Sequence, residues 1–263
     1  MRDTTERRTL LGGTVATVLA GAGLAAAGTA GTAAASDNGQ RADREGRPGP
    51  RIGIFLFDGF SLLDPTGPAE VLCRLPGASV TMIGLRRGPV RTDTAGVAVV
   101  ADLAFDEVDR LDVLLVPGGA DRGMLATIGN PAVLDWIRRL HRRTRWTTSV
   151  CTGSVLLAAA GLLEGRRATT YWAAAEYLES TYGVTYVPER WVRSGKIMTA
   201  AGVSAGIDMA LALAAELAGE EVARAVQLAV EYDPSPPFDS GDAAEADPAL
   251  KELALRLIAE SQV

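Results

Sequence analysis

Two segments, Arg51-Ile-Gly-Ile-Phe-Leu-Phe57 and Leu111-Asp-Val-Leu-Leu-Val116, run apolar for the length of a strand with almost no alternation, and residues 145–150 are short and largely β-branched. Strands of that kind offer no side to water, so they belong in a parallel sheet covered on both faces. Helical stretches fall between them: Pro65 to Cys73 and Pro131 to Arg143, each with proline at its start, and residues 153–160, stopped by Gly161. Further strands are expected over Ser79–Leu85 and Ala168–Thr170. A small hairpin should pair 90–93 with 96–100 through Thr94-Ala95, and a second should span 191–199 and turn at Ser194-Gly195. Helices are expected over 172–181, 203–218, 220–231 and 247–261. Strands alternating with helices predict one α/β domain, 51–263, doubly wound around a mostly parallel sheet with helices on both faces.

The residues before that domain read differently. Arg7-Arg8 precede an uncharged run from Thr9 to Ala35, rich in Leu, Ala, Gly, Val and Thr, which ends in the small residues Ala33-Ala34-Ala35. A twin arginine ahead of a mildly apolar stretch and a small-residue cleavage site is the pattern of a twin-arginine signal peptide. Residues 1–35 are therefore expected to direct export, giving a secreted or envelope-associated protein with no membrane partner in its mature form. Residues 36–50, polar and rich in Gly and Pro, read as a flexible linker.

The turn at Cys151-Thr152-Gly153-Ser154 carries the chemistry. It joins an expected buried strand to a helix, the geometry of a nucleophile elbow with a thiol in place of a hydroxyl. A thiol at a helix N-terminus feels the positive end of the dipole, which is expected to lower its pKa. A buried structural cysteine is the competing reading of the same residue. In open parallel sheets, sites form beyond the carboxyl ends of the strands. Three segments reach that edge: Asp58–Glu70, Pro117-Gly118-Gly119 and Cys151-Thr152. The N–H groups near Gly118 and Gly119, with that of Thr152, are expected to form an oxyanion-type pocket. With Asp64 in the loop and Glu70 a turn into the helix, both carboxyls are expected to face the thiol, one protonated by burial and the other handling a proton. Each also has a plain structural use, Asp64 as a helix cap and Glu70 as an exposed first-turn acid.

The rest of the composition narrows the partners. A net charge of −6 speaks against nucleic acid, and the basic run Arg138–Arg143 is better used on a solvated helix C-terminus. One histidine, His141, and two scattered cysteines, Cys73 and Cys151, cannot assemble a zinc-type cluster. A chain folded before export is expected to keep both thiols reduced.

The segments Val113–Gly119 and Ser149–Ser154 resemble the ThiJ/PfpI superfamily, relatives of the class I glutamine amidotransferases with a flavodoxin-like fold, over roughly residues 51–240. Within it, Leu63–Pro68, Ser149–Ser154, Ala158–Leu163, Gly202–Asp208 and Glu231–Phe238 look most like the isocyanide hydratases. The resemblance implies that Cys151 is a nucleophile with Asp64 and Thr152 as essential partners. It also implies that water is added to a small isocyanide to give an N-substituted formamide, with no cofactor or metal, in a homodimer. Tyr171 stands where related hydratases carry histidine. Two other uses of the superfamily site stand beside this one. One is a redox or stress sensor in which Cys151 is oxidised without turnover. The other is a ligand-sensing domain like those of transcriptional regulators, for which only about one helix remains after Phe238.

Overall fold

The computed structural model describes residues 48–262; the expected signal peptide and all but the last three residues of the expected linker lie outside them. A seven-stranded sheet forms the centre, in the order β10-β11-β7-β6-β1-β2-β5. Its strands are β1 (Arg51–Phe55), β2 (Ser79–Gly84), β5 (Leu103–Ala104), β6 (Val113–Val116), β7 (Trp146–Val150), β10 (Trp191–Ser194) and β11 (Ile197–Ala200). All neighbours are parallel except β10 and β11, which form the expected antiparallel hairpin and turn through Gly195 at φ +65°. The runs without polar alternation became the inner strands: β6 and β7 are buried along their whole length, and β1 from Ile52 onward.

The helices are α1 (Leu63–Leu72), α2 (Asp121–Ile128), α3 (Pro131–Arg143), α4 (Gly153–Ala159), α5 (Ala175–Tyr182), α6 (Ala205–Ala218), α7 (Glu220–Ala229) and α8 (Pro248–Ser261). Helix α3 shows how its sequence fixes it. The Asn130 side chain accepts from the Ala132 N–H at 3.2 Å and Pro131 supplies the first helical φ. Val133, Trp136, Ile137 and Leu140 then recur on one buried stripe. Trp136 packs 5.4 Å from Phe55, ring centre to ring centre, and its indole N–H donates to the Val108 carbonyl at 2.7 Å. Arg142 and Arg143 end the helix in solvent.

Several local expectations are corrected. Helix α2 was not anticipated. The small hairpin, β3 (Gly88–Arg91) with β4 (Ala98–Ala101), has a six-residue connection instead of a two-residue turn, because Thr92 bonds across it to the Val97 carbonyl through both its N–H and its hydroxyl. The strand expected over 168–170 shrinks to β8 (Arg167–Ala168), which pairs with β9 (Thr185–Tyr186). Thr169 and Thr170 leave it to bond Thr199 and Cys151 instead.

The strand order places the site. From β1 the chain moves outward to β2 and β5, then returns to β6 on the other side of β1 and continues to β7 and β11. The order reverses between β1 and β6, and the carboxyl ends of β1, β6 and β7 lie side by side there.

Candidate active site

Each of those three strand ends delivers one part of the site. Beyond β7, Cys151 takes φ +57°, a left-handed conformation that costs a residue with a Cβ about 1–2 kcal/mol. Its surroundings hold it there. The Cys151 N–H is shared between the carbonyls of Ala200 and Ala201 at 3.1 and 2.8 Å, and its carbonyl accepts from Ser154 Oγ at 3.1 Å and Thr170 Oγ1 at 3.2 Å. Gly153 follows because a Cβ there would lie 2.2 Å from the Val116 carbonyl oxygen. The expected sharp turn is therefore present and braced from every side.

The sulfur is buried, with Cys151 only 6% exposed. The backbone N–H groups of Thr152 and Val203 and the Thr152 hydroxyl face it and favour its ionised form. Burial, helped by the charge of nearby Asp64, outweighs them and pushes the thiol above its usual range. This corrects the expectation of a depressed pKa. Loss of solvent thus opposes the positive end of the seven-residue helix α4 at this sulfur.

Beyond β1, Asp64 lies in the first turn of α1 and not in the preceding loop. It is wholly buried. Its Oδ2 accepts from the Gly118 N–H at 2.8 Å, while its Oδ1 has no partner. Burial pushes its pKa up to about 7, against the pull of the Gly118 bond, with the charge of Asp93 adding a smaller push. Near neutral pH this carboxyl is poised between its two forms. Glu70 does not join it. Six residues on, along the same helix, it faces solvent and pairs with Arg74.

Beyond β6, the two glycines meet the site differently from expectation. The Gly118 N–H is taken by Asp64, and the Gly119 N–H donates to Thr152 Oγ1 at 3.1 Å. Neither is left for a developing anion. The donors at the sulfur are the N–H groups of Thr152 and Val203, and Val203 was not foreseen. Its side chain plays no part; the loop 201–204 sets its backbone at φ +23° and so presents its N–H. Gly118 is required by close approach, since a Cβ there would lie 2.5 Å from both the N and Oγ1 of Thr152 and 2.9 Å from Cys151 Cβ. Gly118→Ala should therefore cost about 1–3 kcal/mol in urea unfolding and displace Thr152 from the sulfur. A variant as stable as the native protein would show that the three strand ends are not packed this tightly.

Tyr171 is half-buried beside the thiol; burial raises its pKa, and Cys151 adds to this whenever its sulfur is ionised. His141 lies elsewhere. Its Nδ1 is 2.9 Å from Thr147 Oγ1, towards the amino end of β7, and burial with the charges of Lys196, Arg166 and Arg142 holds its pKa down to about 4. Cys73 is an exposed free thiol on the surface, and Cys151 is likewise unpaired. Among the described residues no three His, Cys, Asp or Glu side chains gather as metal ligands, and no helix is long and apolar enough to cross a membrane.

A family model described as the DJ-1/PfpI family matches residues 50–216. The isonitrile hydratase of Pseudomonas putida is 44% identical over 211 residues, spanning 80% of this chain and 91% of that protein. The HTH-type transcriptional regulator CdhR of Pseudomonas aeruginosa is 36% identical over 46% of this chain and 35% of its own length. Among solved structures, a ThiJ/PfpI family protein from Pseudomonas syringae superposes with a TM-score of 0.75 at 35% identity, covering 81% of this chain and 87% of that one.

Proposed function

Because the chain belongs to the DJ-1/PfpI family, we propose that it is a cofactor-independent cysteine hydratase that adds water to isocyanides to give N-substituted formamides. The observation that carries this reading is the buried pairing of Cys151 with Asp64, which meet across Gly118, the Asp64 Oδ1 having no hydrogen-bond partner. An isocyanide needs a nucleophile and a proton delivered to the same terminal carbon. A thiol beside a carboxylate supplies both.

In the first half, Asp64 accepts the Cys151 proton as the sulfur bonds to the isocyanide carbon. Asp64 then returns that proton to the same carbon, leaving a thioimidate, R–N=CH–S, on Cys151. In the second half, Asp64 takes a proton from water as the oxygen adds to that carbon. The nitrogen takes up a proton, the C–S bond breaks, and the thiol is restored as the formamide leaves. The N–H groups of Thr152 and Val203 stabilise the sulfur each time it carries charge, and the Thr152 hydroxyl, tied to Gly119, adds a third donor.

The test is to incubate the purified protein with a simple aryl isocyanide and follow formamide by chromatography. Formamide should appear in proportion to enzyme, over many turnovers. Absence of turnover would leave the non-catalytic reading, a regulatory or sensing member of the family, in its place.

A further inference from the structure

The hydratase reading leaves one proton without a source, the one taken up by the substrate nitrogen after water has added. We infer that the phenol of Tyr171 is the acid that delivers it. Asp64 and Gly118 approach the sulfur from the β1 and β6 side, whereas Tyr171 belongs to the segments on the β11 side of β7. Thr170, immediately before it, is tied to the Cys151 carbonyl at 3.2 Å. The tyrosine ring rests on Gly202, where an added Cβ would come within 3.1 Å of Cδ2, and the next residue, Val203, is the one whose N–H faces the sulfur. An adduct on Cys151 thus has a carboxyl on one side and a phenol on the other.

Trp172 packs against the tyrosine ring. The two rings lie 5.4 Å apart, centre to centre, tilted at 54°. Burial holds the phenol's proton in place at neutral pH, which suits an acid and rules out a resting base.

The step balances. Hydroxide from water, its proton on Asp64, adds to the thioimidate carbon and the C=N pair moves to nitrogen. Tyr171 gives its proton to that nitrogen and becomes phenolate. As the C–S pair leaves with sulfur, the new hydroxyl becomes the formamide carbonyl and returns its proton to Tyr171, while Asp64 reprotonates the thiolate.

This inference rests on the hydratase reading, and one experiment separates their failures. Native protein, Tyr171→Phe and Tyr171→His are mixed with excess aryl isocyanide, with Cys151 adducts followed by intact mass and formamide by chromatography. Tyr171→Phe keeps the ring packing. It should form the adduct at a near-native rate and release formamide roughly 10–100-fold more slowly, so that a mass gain of one isocyanide accumulates. Tyr171→His, which regains a donor, should release formamide faster than the Phe variant. Native-rate release by Tyr171→Phe with no accumulated adduct would overturn the role of Tyr171 alone. Neither adduct nor formamide with the native protein would overturn the hydratase reading and this step with it.

Discussion

Cys151→Ala should bring formamide formation down to the uncatalysed rate, a loss of about 10³-fold or more, because no other nucleophile in the site can hold the substrate carbon. The fold should survive, since the turn is held by backbone bonds to Ala200 and Ala201 and by two hydroxyls on the Cys151 carbonyl, none of which uses the sulfur. Cys151→Gly makes the comparison sharper. It is expected to be just as inactive, yet more stable than Cys151→Ala by about 1 kcal/mol in urea unfolding. At φ +57° any Cβ is strained, and glycine alone is not. Glycine would ordinarily be the less stable of the two, so the reversed order reads out strain stored at this turn. Equal activity in native protein and Cys151→Ala would remove the sulfur from the mechanism. A Gly variant less stable than the Ala variant would show that the turn is unstrained. Labelling with iodoacetamide gives an independent check on burial: exposed Cys73 should react well before Cys151.

The parts of this molecule that were legible in the sequence are those where one residue's requirement dominates. Strands β1 and β6 could be read because a run with no polar face has few places to go, β7 because short, largely β-branched residues suit a strand covered on both sides, and α3 because Pro131 marks its start ahead of a four-residue apolar stripe. The turn at Cys151 could be read because strand-like and helix-like residues meet there. Helix α2 was hidden by Gly123, a poor helix former, which sits there because a Cβ would come within 2.1 Å of the Asp58 carbonyl oxygen. The two-residue strands β5 and β9 have too few residues to carry any period.

At the site, side chains could be assigned and backbone donors could not. Gly118 and Gly119 advertise two N–H groups, but nothing in the sequence says that Asp64 and Thr152 consume them. The donor at Val203 depends on the backbone of loop 201–204, for which a valine gives no signal. The position of Glu70 turned on a single boundary. Once α1 starts at Leu63, before Asp64, a six-residue separation puts the two carboxyls on different faces, and Glu70 meets Arg74 instead. The thiol pKa failed for a related reason. Helix position is visible in a sequence, whereas the depth of burial that opposes it is a property of the whole packed domain.

Asp64→Asn should separate the catalytic use of this carboxyl from its cost to the fold. The side chain is wholly buried, so the folded protein favours the protonated form and the pKa stands near 7, well above its value in the unfolded chain. Below about pH 4 both states hold the proton and the contribution to stability is complete. As pH rises from there to about 7, the unfolded chain has given up its proton while the folded one retains it, so stability falls across that window and then levels off. A shift of this size corresponds to at most about 4 kcal/mol. Asparagine keeps an oxygen for the Gly118 N–H and carries no charge, so the variant should show little of this decline. It should exceed native stability at pH 8 and approach it at pH 4, as measured by thermal midpoint. Formamide production by the same variant should fall about 10²-fold or more, because the amide can neither accept the thiol proton nor activate water. A gain in stability together with a loss of turnover would mark Asp64 as a charge the fold tolerates only for its chemistry. Parallel pH profiles for the two proteins would show that Asp64 titrates as it does in water, and near-native turnover would take it out of the reaction.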